Sequence, residues 1–434
     1  MNVPASALQQ QLRAIETDIA AGRLQQAAAA LNAAAAGAPQ DARVYLTGAV
    51  LAHAAGNAQQ ELLSLKRAVQ LAPQWWPAFA ELAKALARQQ RFAEALAAAE
   101  KTVELAPREL VALEVAVSVA TTAGDARNAC RYLEMALALR PDDVAIHRSL
   151  GVALERLNEH ARAETHWRVV LDKFPNDTSA LGWLGSCLIA LERKDEARVL
   201  LERALELAPD HPNLPFHLAI ARGETPPAQP SGIIQQLFDD YAGRFDQHLE
   251  DVLQYRTPPH VAEILLERWP QRDFSLLDLG CGTGLLGKYL GRIQGACVGV
   301  DLSRNMLEKA VKHDVYSRLR LNDITAEMRD IAPASFDAVT ACDVFIYVGD
   351  LRETLAGCHK VLRAGGLLLF TCETADDDAV PFVLRASKRY AHGREATAEL
   401  CRTLGFRRVA LEDIPALRSD ADKTIRGFLL HAEK

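Results

Sequence analysis

The segment LLDLGCGTGLLGKYL, residues 276–290, combines closely spaced glycines with an acidic residue that precedes them. Glycines at alternate positions remove Cβ atoms from a turn, so that backbone N–H groups can approach a ligand closely. The segment fits two patterns. GTGLLG fits G-x-G-x-x-G, which holds a pyrophosphate at a helix N-terminus, whereas DLGCGTG reads D-x-G-x-G-x-G and adds a carboxylate that can hold a cationic group. The register of the turn against the preceding strand therefore decides which chemistry is predicted.

The strand before the turn favours the second pattern. Residues 274–279, FSLLDL, form a short apolar run of strand type that ends at Leu279, so the turn begins at Gly280. In the first pattern a glycine should follow the strand directly, yet GTGLLG starts two residues later and places Gly287 inside the next helix. The second pattern explains every residue, because it gives both the alternating glycines and Asp278 at the strand end a role.

The segment resembles the first motif of class I S-adenosylmethionine-dependent methyltransferases. The resemblance implies S-adenosylmethionine as cofactor and S-adenosylhomocysteine as product. It also implies that the turn lies beneath the methionine part of the cofactor, which Asp278 helps to orient. The cofactor contacts predicted in this segment are Asp278, Gly280, Cys281, Gly282, Thr283 and Gly284.

Three later segments continue the same resemblance. ACVGVDLS, residues 296–303, is a second predicted strand ending in Asp301, which lies 21 residues after Gly280 and is expected to accept hydrogen bonds from both ribose hydroxyls. LRLNDITAE, residues 319–327, gives a third strand followed by Asp323 and Ile324; in similar proteins the acidic residue here holds the adenine amino group and the apolar residue covers the ring. FDAVTACDVFIYVGD, residues 336–350, gives the fourth strand and its loop, where Cys342 and Asp343 are expected near the methionine or sulfonium group of the cofactor. The contacts predicted here are Asp301, Leu302, Met306, Asn322, Asp323, Ile324, Cys342 and Asp343, with core packing as the alternative for Leu302 and Met306.

The segment before the first strand, residues 237–261, resembles the lid of small-molecule methyltransferases. Tyr241 and Arg244 are predicted to close over the cofactor, and Arg244 to meet its carboxylate. The alternative is an amphipathic helix whose arginine is simply solvated.

Methyl transfer is an in-line displacement at a sulfonium, for which the protein mainly supplies alignment and a dry pocket. A base is needed only where the nucleophile starts protonated, so the motif alone specifies no catalytic group. The candidates at the crevice are Asp343, Tyr347, Tyr390 and His392, the last two expected on a loop after the fifth strand. No NPPY-type motif follows the fourth strand, which disfavours base or amide nitrogen acceptors. Oxygen, nitrogen and carbon acceptors on small molecules are all compatible, and no metal site is predicted.

The first half of the chain is a repeat. Prolines at positions 39, 73, 107, 141, 175 and 209 are spaced by 34 residues, and most lie in contexts such as QLAPQ and ELAPD. Small residues recur at the same period, among them Ala95, Ala129, Ala163 and Ala197. The pattern resembles the tetratricopeptide repeat, in six units that start at residues 8, 42, 76, 110, 144 and 178, with a cap helix at 213–222.

These observations predict a domain organisation and a fold class. Residues 1–222 are expected to form an all-α tetratricopeptide solenoid, residues 223–232 (GETPPAQPSG) a linker, and residues 233–434 an α/β Rossmann-like class I methyltransferase domain. The sheet should have seven strands in the order 3-2-1-4-5-7-6, and FRRVALEDI and TIRGFLLHAE should form the last antiparallel pair. The combination resembles a bacterial group of methyltransferases with such repeats.

Composition narrows the location and the partners. The net charge of −7 and a chain without a basic run give no electrostatic case for nucleic acid. No apolar stretch approaches 18 residues and no signal peptide is evident, so a cytoplasmic protein outside the membrane is expected. The eight cysteines lack metal-ligand spacing and are expected to be buried thiols.

Three functions fit these features. The first is a methyltransferase for a small-molecule acceptor whose repeats dock a protein or peptide, or support dimerisation. The second is a protein or peptide methyltransferase whose repeats recruit the substrate. The third is a scaffold without turnover, which the intact Asp278, glycines and Asp301 disfavour.

Overall fold

The structure is a computed structural model that describes residues 5–241, 256–420 and 423–434. By its internal contacts the chain divides into two compact units, Met1–Cys187 and Leu188–Lys434. The predicted linker at 223–232 lies inside the second unit, and the proposed domain boundaries remain a prediction.

The first unit consists of paired helices that follow the 34-residue period. The helices of the repeat region and its cap are Ala5–Ala20, Leu24–Gly37, Ala42–Ala54, Ala58–Leu71, Trp76–Arg88, Phe92–Leu105, Leu110–Thr122, Ala126–Leu139, Val144–Arg156, His160–Lys173, Thr178–Ala190, Lys194–Leu207 and Leu214–Ala221. The boundary between the two units falls inside the helix Thr178–Ala190, and the helices Lys194–Leu207 and Leu214–Ala221 belong to the second unit. Each periodic proline comes two residues after the second helix of a pair, because proline cannot continue the helical hydrogen bonding. The predicted helical array is confirmed.

Small residues hold the paired helices close together. Ala95, Ala129 and Ala163 are each at most 2% exposed, at the predicted contact positions of their units. A Cβ atom on Gly151 would collide with the ring of Trp167, which is itself buried. The repeat therefore keeps alanine or glycine where one helix of a pair packs directly against the other.

The second unit contains a mixed sheet with helices on both faces. The strands are β1 Leu276–Leu279, β2 Cys297–Asp301, β3 Arg318–Leu321, β4 Phe336–Ala341, β5 Leu362–Thr374, β6 Phe382–Leu384, β7 Tyr390–His392, β8 Arg407–Asp420 and β9 Lys423–Glu433. The remaining α-helices are Ser231–Tyr241, Thr257–Arg268, Leu285–Leu290, Arg304–Ala310, Ile324–Asp330, Arg352–Val361 and Arg394–Thr403, and short 3-10 turns lie at Val311–His313 and Phe345–Tyr347. Strands β1 to β5 are parallel, in the order β3-β2-β1-β4-β5.

The sheet beyond β5 differs from the prediction in strand count. The predicted last pair is present as β8 and β9, which are antiparallel, and β9 lies between β5 and β8. The described residues also contain a short hairpin, β6–β7, whose second strand pairs with the end of β5 through Glu373 and Thr374. The sheet therefore has nine strands rather than seven. The hairpin was missed because each of its strands has only three residues, too few to show an alternating pattern.

Two apolar cores cover the faces of the sheet. One face packs against the helices Ile324–Asp330, Arg352–Val361 and Arg394–Thr403, and the other against Thr257–Arg268 and Leu285–Leu290. Parallel strands buried on both faces bring their carboxyl ends together at one edge, where ligands of open α/β sheets bind. None of the helices in the described part of the chain is long and apolar enough to cross a membrane.

Candidate functional site

The glycine turn joins β1 to the next helix in the register that the strand predicted. β1 ends at Leu279 and the helix begins at Leu285, so that Gly287 lies within the helix. Gly280, Gly282 and Gly284 have φ values of 63°, 54° and 86°, in the left-handed region that other residues rarely adopt. A Cβ atom on Gly280 would in addition collide with Val344. Both conformation and space therefore require glycine at the start of the turn.

Asp301, at the end of β2, holds the middle of this turn. Its Oδ2 accepts a hydrogen bond from the backbone N–H of Gly282 at 2.9 Å, and its Oδ1 accepts one from the N–H of Ser303 at 2.8 Å. Burial raises the pKa of the Asp301 carboxyl, while the backbone donors oppose that rise. The carboxylate thus links the glycine turn to the end of β2, the place from which it was predicted to bind a ribose.

Asp278 is buried in the sheet beneath the turn. Its Oδ2 accepts a hydrogen bond from the hydroxyl of Tyr316 at 2.7 Å, and its Oδ1 accepts one from the hydroxyl of Thr340 at 2.9 Å. Burial raises the pKa of Asp278 to about 6, while these two hydroxyls oppose the rise. Neither partner was among the predicted residues. Tyr316 precedes β3 and Thr340 lies inside β4, and no spacing pattern connects them to Asp278.

The residues after β3 cap the helix Ile324–Asp330. Oδ1 of Asp323 accepts hydrogen bonds from the N–H groups of Thr325 and Ala326, and Oδ2 accepts one from the hydroxyl of Ser231 at 3.2 Å. The amide of Asn322 donates to the carboxylate of Glu327 at 2.8 Å. The adenine role predicted for this segment stays a prediction.

The three predicted apolar contacts differ in burial. Ile324 belongs to a core cluster and Met306 is fully buried, whereas Leu302 is half-buried. For Met306 the core alternative therefore has direct support in the structure.

The end of β4 carries backbone strain. Asp343 has a φ of 60°, and its N–H donates to the hydroxyl of Thr371 on β5 at 2.8 Å. A non-glycine residue in the left-handed region costs about 1–3 kcal/mol and often marks a functional site. Cys342 beside it is half-buried, and burial raises the pKa of its thiol well above the ordinary value. Strain therefore occurs at the residue predicted to face the reacting groups.

A strap, defined as residues 226–229, fixes the loop after β4. The N–H groups of Gly349 and Asp350 both donate to the carbonyl of Pro227 at 2.8 Å, and the N–H of Gln229 donates to the carbonyl of Tyr347 at 3.0 Å. Ala228 forms an antiparallel bridge with Val348. Part of the predicted linker is thus hydrogen-bonded to the loop that follows β4 in the sheet.

The helix after the strap, Ser231–Tyr241, crosses the ends of three strands. Ser231 contacts Asp323 after β3, Asp239 accepts a hydrogen bond from the Ser303 hydroxyl after β2 at 2.5 Å, and Phe238 packs edge-on against Tyr347 after β4 with ring centroids 5.5 Å apart. The helix overlaps only the start of the lid predicted for residues 237–261, and the lid role stays a prediction. Arg244 and the side chain of Tyr241 lie outside the described residues.

Tyr390 and His392 lie on strand β7 rather than on the polar loop that the sequence predicted. Both are buried; the hydroxyl of Tyr390 and Nε2 of His392 have backbone partners, whereas Nδ1 of His392 has no hydrogen-bond partner among the described residues. The hydroxyl of Tyr390 donates to the carbonyl of Pro226 at 2.7 Å, and Nε2 of His392 is 3.0 Å and 3.1 Å from the carbonyls of Val348 and Gly349. Burial lowers the pKa of His392 to about 4. The two side chains hold the strap and the loop after β4, and the catalytic role remains an untested prediction.

One polar atom in the glycine turn has no partner in the structure. The hydroxyl of Thr283 is buried, its side chain being 1% exposed, and it makes no hydrogen bond. Buried hydroxyls are nearly always hydrogen-bonded, so a polar group supplied from outside the chain fits this place. Among the described residues, no group of three or more His, Cys, Asp or Glu side chains could hold a metal ion.

Comparison with known proteins identifies both parts of the chain. Residues 277–370 match the methyltransferase domain family, and residues 116–178 and 168–215 match two families of tetratricopeptide repeats. The second half of the chain thus contains a methyltransferase domain and the first half contains tetratricopeptide repeats, as the sequence predicted.

Curated relatives match part of the methyltransferase half. A ubiquinone biosynthesis O-methyltransferase from Colwellia psychrerythraea is 29% identical over 102 residues, which are 23% of this chain and 42% of that protein. An enzyme of the same name from Saccharophagus degradans is 28% identical over 129 residues, 29% of this chain and 55% of that protein. The chain thus spans about half the length of the curated relatives it matches.

Among solved structures, a SAM-dependent methyltransferase from Thermotoga maritima, described as a possible histamine N-methyltransferase, is 16% identical. The match covers 46% of this chain and 99% of that one, with a TM-score of 0.36.

Proposed function

We infer that this chain, a methyltransferase domain preceded by tetratricopeptide repeats, is an S-adenosylmethionine-dependent methyltransferase that acts on a small molecule. The observation that carries this proposal is the left-handed glycine turn anchored to Asp301. The turn brings together the buried hydroxyl of Thr283, which has no partner in the part of the chain that the structure describes, and the carboxylates of Asp278 and Asp301 at one edge of the sheet. These groups suit a ligand with an ammonium group, a ribose and a carboxylate.

The residues of the site divide the work of binding. Asp278 would hold the ammonium of the methionine part, the turn from Gly280 to Gly284 would approach that part, and Asp301 would receive the ribose hydroxyls. When bound, S-adenosylmethionine would supply the methyl group of its sulfonium to an acceptor atom, and S-adenosylhomocysteine would leave as the carbon–sulfur bond breaks. The chain itself aligns the acceptor and excludes water, and the helix Ser231–Tyr241 covers the edge where this occurs.

The proton of a hydroxyl acceptor needs a base, for which Asp343 is the preferred candidate. It lies at the end of β4 in a strained conformation and is half-buried. Tyr390 and His392 are less suitable, because both side chains are buried and the Tyr390 hydroxyl and Nε2 of His392 are bonded to backbone groups of the strap and of the loop after β4. Tyr347 is also less suitable as the base, because its side chain is buried and its ring packs against Phe238.

The small-molecule acceptor is favoured by the curated relatives, whose names describe methylation of an oxygen in ubiquinone biosynthesis. The repeats then serve as a docking surface for a protein or peptide partner, or for a second copy of the chain. A protein methyltransferase that recruits its substrate through the repeats is the alternative, and a cytoplasmic location is part of the same proposal.

Transfer of a labelled methyl group tests the proposal. The full chain is incubated with methyl-tritiated S-adenosylmethionine and a bacterial lysate, and the label is counted in acid-precipitated protein and in extracted small molecules. Label in the small-molecule fraction supports the proposal. Label in protein supports the alternative, a protein methyltransferase. No label in either fraction, in a lysate whose proteins are undegraded, contradicts both the proposal and the alternative.

Calorimetry tests the cofactor separately. We expect the purified chain to bind S-adenosylhomocysteine and to give no heat with NAD, because the turn has the D-x-G-x-G-x-G register. Binding of NAD without a response to S-adenosylhomocysteine would refute the cofactor assignment.

A further inference from the structure

Tyr316 joins three parts of the site that the sequence treats separately. Its hydroxyl donates to Oδ2 of Asp278 at 2.7 Å. Its ring occupies space that glycines leave open, because Cβ atoms on Gly284, Gly287 and Gly299 would lie 3.1, 2.8 and 3.0 Å from ring carbons. These glycines belong to the turn, the following helix and β2. The ring therefore fills the space beneath the turn, and its hydroxyl reaches the carboxylate at the strand end.

We propose that Tyr316 is a positioning residue that keeps Asp278 ionised and aimed at the ammonium group of the bound cofactor. The proposal deepens the proposed function and rests on it. A hydrogen bond from a phenol stabilises a carboxylate relative to a carboxylic acid, and only the carboxylate attracts a cation. Without this donor, Asp278 would be buried with the hydroxyl of Thr340 as its remaining side-chain donor.

The surroundings of Asp278 make this donor important. The other charged or titratable groups that face it are Asp301, Cys281, Cys297 and Cys342. Asp301 is an anion and raises the pKa of Asp278, and burial raises the pKa values of the three thiols so that they stay neutral. No cation in this set stabilises the carboxylate, which leaves the hydroxyls of Tyr316 and Thr340 to do so.

The test uses the full chain with Tyr316→Phe, which keeps the ring and removes the hydroxyl. Affinity for S-adenosylhomocysteine is measured by calorimetry from pH 5 to pH 8.5. In the wild type, affinity should fall as the pH drops through about 6, where Asp278 takes up a proton. In the variant the midpoint should rise by about one pH unit, so that affinity should fall about twofold at pH 7 and roughly tenfold at pH 5.

Two further variants complete the test. Tyr45→Phe removes another tyrosine hydroxyl, one that donates to the carbonyl of Pro39 in the repeats, and should leave the whole pH profile unchanged. Thr340→Val removes the second donor to Asp278 and should shift the midpoint in the same direction as Tyr316→Phe. If Tyr316→Phe does not fold, an unchanged midpoint in a folded Thr340→Val variant overturns the proposal, because it shows that a hydroxyl donor does not keep Asp278 ionised.

The outcomes separate this proposal from the proposed function. A wild type that never binds S-adenosylhomocysteine contradicts the function itself. A wild type that binds, together with a folded Tyr316→Phe variant of equal affinity and an identical pH midpoint, contradicts only the role of Tyr316. A uniform loss of affinity at every pH assigns Tyr316 a purely structural role and likewise overturns the proposal.

Discussion

The carboxylate of Asp301 accepts a hydrogen bond from the backbone N–H of Gly282 at 2.9 Å, so that the end of β2 holds the glycine turn that follows β1. The same side chain also binds the N–H of Ser303. Asp301 therefore shapes the turn before any ligand is bound, in addition to the ribose contact proposed for it.

Replacing Asp301 by alanine should weaken the binding of S-adenosylhomocysteine by roughly 10- to 100-fold. The variant loses a charged acceptor, which is worth about 1.5–3 kcal/mol, and it also releases the N–H of Gly282. Calorimetry at pH 7.5 measures the loss. Asp330→Ala, at an exposed acid at the end of a helix, is the matched control and should bind as the wild type does. Equal affinity in both variants would show that Asp301 does not contact the cofactor.

Replacing Gly280 by alanine should lower the stability of the folded protein far more than the same change at Gly365. Both glycines have positive φ, 63° and 75°, so both variants incur about 1–2 kcal/mol of backbone strain. At Gly365 no atom lies within 4 Å of the new Cβ, whereas at Gly280 the methyl group meets Val344, adding about 1–3 kcal/mol. Thermal unfolding of the two variants measures the difference in stability.

A second substitution identifies the cause of that difference. Val344→Ala in the Gly280→Ala background should restore part of the lost stability, because it opens the space that the methyl group needs. If Gly280→Ala and Gly365→Ala unfold at the same temperature, contact with Val344 does not constrain the turn.

Substitutions of His392 distinguish a structural role from a catalytic one. His392→Ala should lower stability by roughly 2–4 kcal/mol, because it leaves a cavity and two carbonyl groups without a partner. His392→Gln can still donate to the carbonyls of Val348 and Gly349, and should retain most of the wild-type kcat. A kcat about 10²-fold lower in His392→Gln, with loss of the acidic limb of the pH–rate profile, would instead establish His392 as the base.

The pH dependence of stability gives an independent check on His392. Its pKa is lowered by burial from 6.5 to about 4, so the folded state binds fewer protons than the unfolded state between these values. The wild type should therefore lose stability as the pH falls from about 6.5 to about 4. Chemical unfolding at several pH values should show a flatter dependence for His392→Gln, and parallel curves would contradict the burial of a neutral imidazole.

Limited proteolysis should cut the predicted linker at its start and not in the strap. Residues 222–225 are exposed, whereas Pro226 is buried and residues 226–229 are bonded to the loop after β4 and to Tyr390. With a protease of broad specificity, the amino end of the C-terminal fragment should fall at or before Pro226. Tyr390→Phe removes the bond to Pro226 and should extend cleavage into the strap. Early cleavage within 226–229 of the wild type would show that the strap is not held.

The sequence by itself determined the repeat and the register of the turn. Prolines at a fixed period and buried small residues such as Ala163 are local signals, because each acts within one helix pair. The apolar run ending at Leu279 fixed the glycine register for the same reason. Such features depend on residues close together in the chain, and they could be predicted.

The tertiary structure alone decided which side chains meet around Asp278 and where the strap lies. Tyr316 and Thr340 are 38 and 62 residues from Asp278, and they become neighbours only because β1 lies between β2 and β4. Residues 226–229 were predicted to be part of a linker because they are rich in proline. The sequence does not show that the loop after β4 supplies carbonyl and N–H groups with which these residues form hydrogen bonds. Likewise, the sequence predicted a loop at His392 because strand β7 has only three residues and shows no strand pattern. In the structure this strand forms by pairing with β5 and β6.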